Sequence, residues 1–470
     1  MDKAVNLQIS IILISLFALA CGKSRRPGLS DKKLFVQEET TDTLLQEFIN
    51  FDAGMSVVPS GIKYTESRAV DPANPPVVLD IEKALHQGAE DIPLSSIGKS
   101  VRYIKTTLPK NMSVLDFVIR DDTLFVSCRD QDTNRQCIVP YTSDGIFMNS
   151  IWDVTPNGIT KKYHPDFEEE VMPSISSQES RERNQPPPPP GLPPWSKGDK
   201  IIFNINFDHT GKYIHYTISR WLDTEHPEYR KHIVSSLNGM QMAVSSERFN
   251  EPPHSAFYLP SDGWIHVYRT LDNWFKKSPW CLITFSSHGD TLCRFANYNP
   301  VTPVNVSAGM TTEKIIAYFY NDRLNFRTDY ADTIFRVVAF DRILPVYAIH
   351  TGKYKLFAIE GLKGQIDNKV YIENIRETQS FLFVSINTPT REKQILVFDK
   401  QLQTLRLHRN EKFSNDIDHG PVFYPEKIMP DGKTMACYFI SEYFRYNPSA
   451  TMSKLFPSMA KNCVIFMIVQ

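Results

Sequence analysis

The sequence predicts an all-β protein, a β-propeller whose best count is six four-stranded blades, with seven as the alternative, interrupted by a proline-rich insertion. Three observations lead there. Strand–turn–strand units recur along the chain, with few segments of helical period. Aromatic residues make up 12% of it, 29 Phe and 20 Tyr among them, and these suit a pleated, half-buried surface. The 32 Pro against 20 Gly punctuate the chain into short elements. A single four-stranded sheet cannot bury both faces by itself, whereas radial packing covers the faces and leaves only short edges.

The elements follow in order. Lys3 precedes an apolar run over 9–20 that ends in small residues before Cys21. A helix of that length rises only about 18 Å, too short for a bilayer core of roughly 30 Å. Residues 1–21 therefore read as an export signal. Ala18-Leu19-Ala20-Cys21-Gly22 matches a bacterial lipobox except that Ala18 stands where Leu is usual, so Cys21 is the expected lipidation site. A plain secretory signal with an incidental cysteine is the other reading. Lipidation would make the membrane a partner through the N-terminus, and several acyl chains anchor stably where one does not. Residues 22–76 carry charge and proline with little periodicity and read as a flexible tether, and 77–470 as the propeller domain.

Asp80 opens a short helix through His86. Region 94–104 is expected to supply a strand that pairs with the chain's last strand, Cys463–Val469. Four-strand units are expected over 116–151, 256–295, 315–350 and 371–408, and the turns at His288, Asp341 and Asp399 lie 53 and 58 residues apart. The first unit divides into 116–120, 123–128, 137–141 and 146–151. The insertion at 165–199 contains Glu168-Glu169-Glu170, a serine-rich stretch and the prolines of 186–190. Such a segment cannot lie inside a sheet, because proline has no N–H for the ladder.

With 52 Lys and Arg against 53 Asp and Glu, the chain lacks the basic excess of a nucleic-acid binder. Cys128, Cys137, Cys281, Cys293, Cys437 and Cys463 form no C-x-x-C motif. The pairs Cys128/Cys137 and Cys281/Cys293 each bracket a turn, which suits cross-strand disulfides or free cysteines packed as small hydrophobes. No zincin, Walker or nucleophile-elbow motif occurs. Asp262-Gly263 and Asp431-Gly432 lack the spacing of a sialidase Asp box and suit tight turns. The run from Asp130 to Asn134 begins like a calcium loop, but Arg135 stands where glycine is needed. No catalytic residue, metal site or cofactor is expected.

The candidate ligand-binding residues are Asn415, Asp416, Asp418, His419 and Tyr424. They group four polar side chains between Phe413 and the Phe423/Tyr424 pair. Two readings stay open: a lining for a channel mouth, or Asx side chains that cap a blade-entry loop through local hydrogen bonds.

Several segments resemble the six-bladed β-propeller lipoproteins of unknown function found in Bacteroidetes. The segments that carry it are Leu79-Asp80-Ile81-Glu82-Lys83, Asp91-Ile92-Pro93-Leu94, Asn321-Asp322-Arg323-Leu324-Asn325-Phe326-Arg327 and Asn415-Asp416-Ile417-Asp418-His419-Gly420-Pro421. The match covers roughly 77–160 and 255–470. The resemblance implies the fold, lipid anchoring, and a place in the cell envelope, on the outer membrane facing the periplasm. The expected function is a binding or scaffolding module for a glycan, peptide or envelope protein. The alternative is an envelope hydrolase or lyase acting on glycan or peptide in the central channel.

Overall fold

The structure is a computed structural model that describes residues 66–68, 70–109, 111–155, 158–163, 200–220, 231–237, 241–246, 255–259, 263–268, 280–286, 291–298, 315–328, 330–362, 364–447, 449–457 and 462–470. The expected export signal with Cys21, most of the expected tether and the proline-rich insertion lie outside them. Six sheets of four or five strands make a six-bladed β-propeller. Blade 1 runs Met112–Arg120, Thr123–Asp130, Gln136–Thr142, Ser150–Thr155 and Gly158–Tyr163. Blade 2 is Lys200–Phe207, Tyr213–Arg220, Lys231–Ser236 and Gln241–Ser246. Blade 3 is Ser255–Leu259, Gly263–Val267, Trp280–Phe285 and Thr291–Ala296. Blade 4 is Ile316–Tyr320, Arg323–Arg327, Thr333–Ala339 and Arg342–His350, with Val77–Asp80 added at its outer edge. Blade 5 is Tyr371–Glu377, Phe381–Asn387, Lys393–Asp399 and Thr404–His408. In blade 6, Lys427–Ile428, Met435–Ile440 and Cys463–Val469 are completed by Val101–Thr107 from the start of the domain.

That last pairing is the strand partnership expected for the chain's end. It runs in unbroken antiparallel register from Val101 opposite Val469 to Thr107 opposite Cys463. The partner sits slightly later than expected, because Leu94–Ser96 forms a 3-10 turn and not a strand. All seven residues of Cys463–Val469 are buried. This strand is covered on both faces, which is why it reads as a continuous apolar run without alternation.

Compact packing divides the chain into two units. The first comprises the described residues within 66–79, 255–317 and 324–369. Within it Trp264 and Trp280 are fully buried. Residues 66–68, inside the expected tether, are packed here. Ser67 makes a parallel bridge to Arg342, and the buried Glu66 carboxylate accepts from Ala296 N at 2.8 Å and from the Tyr298 hydroxyl at 3.0 Å. Arg68 pairs with Glu66 at 3.2 Å and lies over the Tyr298 ring.

The second unit comprises the described residues within 80–246, 318–323 and 370–470. Its apolar clusters lie between consecutive blades. Phe466, Val464 and Ile468 of blade 6 pack with Phe117, Leu124 and Val126 of blade 1. Met435, Met467 and Val469 pack with Phe383, Ile395 and Val397 of blade 5. Trp152 and Val154 of blade 1 pack with Ile205, Ile214 and Tyr216 of blade 2. The helix at Asp80 forms as Ile81–Gln87, with the Asp80 side chain accepting from Lys83 N at 3.0 Å.

Two details differ from the sequence reading. The fourth strand of blade 1 is Ser150–Thr155, not 146–151, and a fifth follows. Ile146 and Met148 look like strand residues but are exposed in a wide loop that ends at Asn149, whose φ is 52°. The buried run that packs begins at Ser150. The six cysteines are free and buried, so the disulfide option is not realised. Cys128 and Cys137 stand directly opposite each other on neighbouring strands, where they fill the core between blades.

Phe466 is fully buried, with its ring 5.0 Å from that of Phe117. Phe466→Ala should cost about 3–5 kcal/mol. Chemical denaturation should show one cooperative transition moved to lower denaturant.

Candidate functional site

The loop that carries the sequence-predicted residues is pinched at its base. Phe413 and Phe423 exchange backbone hydrogen bonds of 2.7 and 2.9 Å. Inside the loop, Asn415 Oδ1 accepts from the backbone N–H groups of Ile417 and Asp418. Asn415 Nδ2 donates to Asp418 Oδ1 at 2.6 Å and to the Tyr103 hydroxyl at 3.2 Å. Asp418 Oδ1 also accepts from Tyr103 at 3.0 Å and from Gly420 N at 2.9 Å. A Cβ at Gly420 would lie 2.0 Å from the Tyr103 oxygen, so only glycine fits. Burial, and then the charge of Asp418, push the Tyr103 phenol upward. It stays a neutral donor.

Asp416 turns the other way. Its carboxylate accepts from Ser95 N at 2.9 Å and from the Ser95 hydroxyl, and those bonds hold its pKa below the usual carboxylate range. His419, with φ of 57°, is exposed, and the Tyr424 hydroxyl lies 3.5 Å from Ser385 Oγ. Asn415, Asp416 and Asp418 thus carry the hydrogen bonds that hold this blade-entry loop, and His419 lies near enough to Asp416 for its charge to lower that carboxyl further.

A different group of side chains is drawn together on the first strands of the blades, the strands a propeller turns toward its axis. In blades 1, 2 and 5 the register of that strand breaks, between Val114 and Asp116, Phe203 and Asn206, and Ile372 and Asn374. Such bulges re-aim side chains and gather beside functional sites. Blades 1 and 5 use the same local device. Asp116 Oδ1 accepts from Phe117 N, and Asn374 Oδ1 accepts from Ile375 N, both at 2.9 Å.

From these bulges a belt of polar contacts crosses four blades. Arg376 of blade 5 donates from Nε to Glu426 O at 2.7 Å and from one terminal nitrogen to Asn374 Oδ1 and Ile375 O. Lys427, just before Met435–Ile440 in blade 6, donates to Asp116 Oδ1 of blade 1. Its ammonium lies 5.8 Å from the Phe117 ring and 5.6 Å from that of Phe207. Phe207 of blade 2 donates its N–H to Asp116 Oδ2 at 2.8 Å. The other terminal nitrogen of Arg376, Nη2, has no hydrogen-bond partner among the described residues, and the side chain is half-buried. Burial raises the Glu426 carboxyl above its ordinary range, against a backbone hydrogen bond at Tyr438 and the charge of Arg376, while the charge of Asp116 adds to the rise and that of Lys427 opposes it.

Sequence reasoning missed this belt. The available signal was polar residues interrupting apolar strands, Asp116 between Leu115 and Phe117 and Asn374 before Ile375. Among the described residues, no group of three His, Cys, Asp or Glu side chains gathers to hold a metal ion.

A family model described as a domain of unknown function, DUF4933, matches residues 226–443. No curated protein matches the chain significantly. Among solved structures, a member of the DUF4221 family from Bacteroides vulgatus is similar over 78% of this chain and 96% of its own, at 9% identity and a TM-score of 0.40. A structural genomics protein of unknown function from Bacteroides thetaiotaomicron is similar over 79% and 76%, at 9% identity and a TM-score of 0.34. TolB from Acinetobacter baumannii is similar over 75% of this chain and 65% of its own, at 8% identity and a TM-score of 0.35.

The Glu426 environment gives a pH prediction. A carboxyl whose folded pKa is raised adds stability below its unfolded pKa and loses it as pH rises through the folded value. Its ionised form is therefore a burden at neutral pH. Glu426→Gln should raise the melting temperature at pH 7, and the gain should vanish near pH 3, where both side chains are neutral.

Proposed function

We propose that this protein is a recognition module of the cell envelope, held to a membrane by acyl chains on Cys21. It binds a glycan, peptide or protein partner through an acidic group that docks on the inner-strand belt. The observation that carries this reading is Arg376. Its Nε and one terminal nitrogen are fixed by the bulge and by blade 6, which leaves Nη2 oriented and uncommitted. A guanidinium held in this way is pre-organised for a carboxylate or phosphate, because little side-chain freedom remains to be lost on binding. Asp116, by contrast, is fully engaged by Lys427 and two backbone N–H groups. Arg376 thus offers a donor while Asp116 is not free to act as a base, which favours binding over turnover.

The hydrolase or lyase reading rests on Glu426, a carboxyl that burial keeps protonated to higher pH, as a general acid requires. It would need turnover that Glu426→Gln abolishes. Attachment at Cys21 fits an outer-membrane position facing the periplasm.

Two measurements test the proposal. Cys21→Ser should move the protein from the membrane fraction to the soluble fraction, and continued pelleting would reject lipidation. For ligands found on arrays of acidic glycans and peptides, Arg376→Ala should weaken binding about 10- to 100-fold, the worth of one or two charge-assisted hydrogen bonds. Unchanged affinity would remove the belt from the account.

A further inference from the structure

A second site lies away from the belt, in the cleft where blade 1 meets the turn after Lys231–Ser236 of blade 2. The cavity measures about 430 Å³, within the range of small-molecule sites. Its walls are Phe125, Trp152, Ile159 and Leu237. The Phe125 and Trp152 rings are 5.6 Å apart and inclined at 48°, which makes an aromatic corner. Trp152 is nine-tenths buried, so its ring forms a fixed wall of the cleft.

The charges at the rim are unequal. Arg120 and Asp121 pair with each other at 3.0 Å and cancel. Lys161 shares the face of its strand with Ile159 and holds its ammonium 5.6 Å from the Trp152 ring centroid. The neighbouring Lys162 takes the nearby carboxylate, Asp153, at 2.7 Å, and Arg135 takes it as well. No carboxylate pairs with Lys161 among the described residues. The cleft is therefore an apolar, aromatic-walled cavity with one uncompensated positive charge at its mouth.

We propose that this cleft binds a small organic carboxylate with an apolar, preferably aromatic, body. The body fills the corner between Phe125, Trp152, Ile159 and Leu237. The carboxylate meets the Lys161 ammonium at the mouth. A neutral ligand of the same shape would forgo the charge interaction, and a bare anion would leave the aromatic corner unfilled. None of the belt residues lines this cavity, so the site is independent of the proposed recognition through Arg376.

The test is isothermal titration of the detergent-solubilised full-length protein with 2-naphthoate and with its neutral analogue 2-naphthamide. The acid should bind at least fivefold more tightly than the amide. Lys161→Met, on an exposed edge strand, should remove that preference without changing the melting temperature. Ile159→Trp, which fills the cavity, should abolish binding of both probes, and Arg376→Ala should leave binding unchanged. The proposal is overturned by absence of binding at millimolar naphthoate, by equal affinity for acid and amide, by a preference that survives Lys161→Met, or by its loss in Arg376→Ala.

Discussion

The interaction on which the rest depends is the placement of Cys463–Val469 between Val101–Thr107 and Met435–Ile440. The last strand of the chain completes a sheet with a strand from the domain's beginning, so residues more than 350 positions apart share one hydrogen-bonded ladder. The closure extends past the strands. Gln470 N donates to Ser100 O at 3.1 Å, and Ser100 N donates back to Gln470 O at 3.2 Å. Gly98 allows the entry loop to pass, since a Cβ there would sit 2.2 Å from Val469 Cγ1. The loop entropy of so distant a contact grows only slowly with length, and seven buried side chains oppose it.

Closure fixes blade 6 against blades 1 and 5, and this gives the polar belt its geometry. Phe466 packs on Phe117, one residue from Asp116, while the Lys427 ammonium reaches across to the Asp116 carboxylate. Asp116 serves the fold and the site at once: it caps its own bulge, accepts from Phe207 N and pairs with Lys427. Arg376 and Glu426 answer to the opposite demand. A half-buried guanidinium with an uncommitted nitrogen and a carboxyl raised by burial both weaken the folded state. Groups retained at such a cost are where function is reasonably sought.

Much of the fold was legible in the sequence. Blades 3, 4 and 5 follow the expected strands closely because their hairpins combine apolar runs with Asp- and Asn-rich turns, such as Asn321-Asp322, where φ is positive at both residues. The closing strand was legible because a sheet buried on both faces needs a continuous apolar run. The fourth strand of blade 1 was misplaced because Ile146 and Met148 alternate like strand residues while facing solvent. Blade 2 was not recognised as a unit, since it falls between the proline-rich stretch and the recurring turns. The candidate site was less legible. Asn415, Asp416 and Asp418 form a dense polar motif in the sequence, yet their partners are Tyr103 and Ser95, more than 300 positions away. The belt was invisible for the same reason, because its members come from four blades and meet only once the sheets are assembled.

Closure is tested most directly by native-state hydrogen exchange. If the terminal strand is integral to the domain, the amides over 463–469 and their partners over 101–107 exchange only through global unfolding, as slowly as those of Phe381–Asn387. Exchange of 463–469 through local fraying, at a free energy well below that of Phe381–Asn387, would contradict the account.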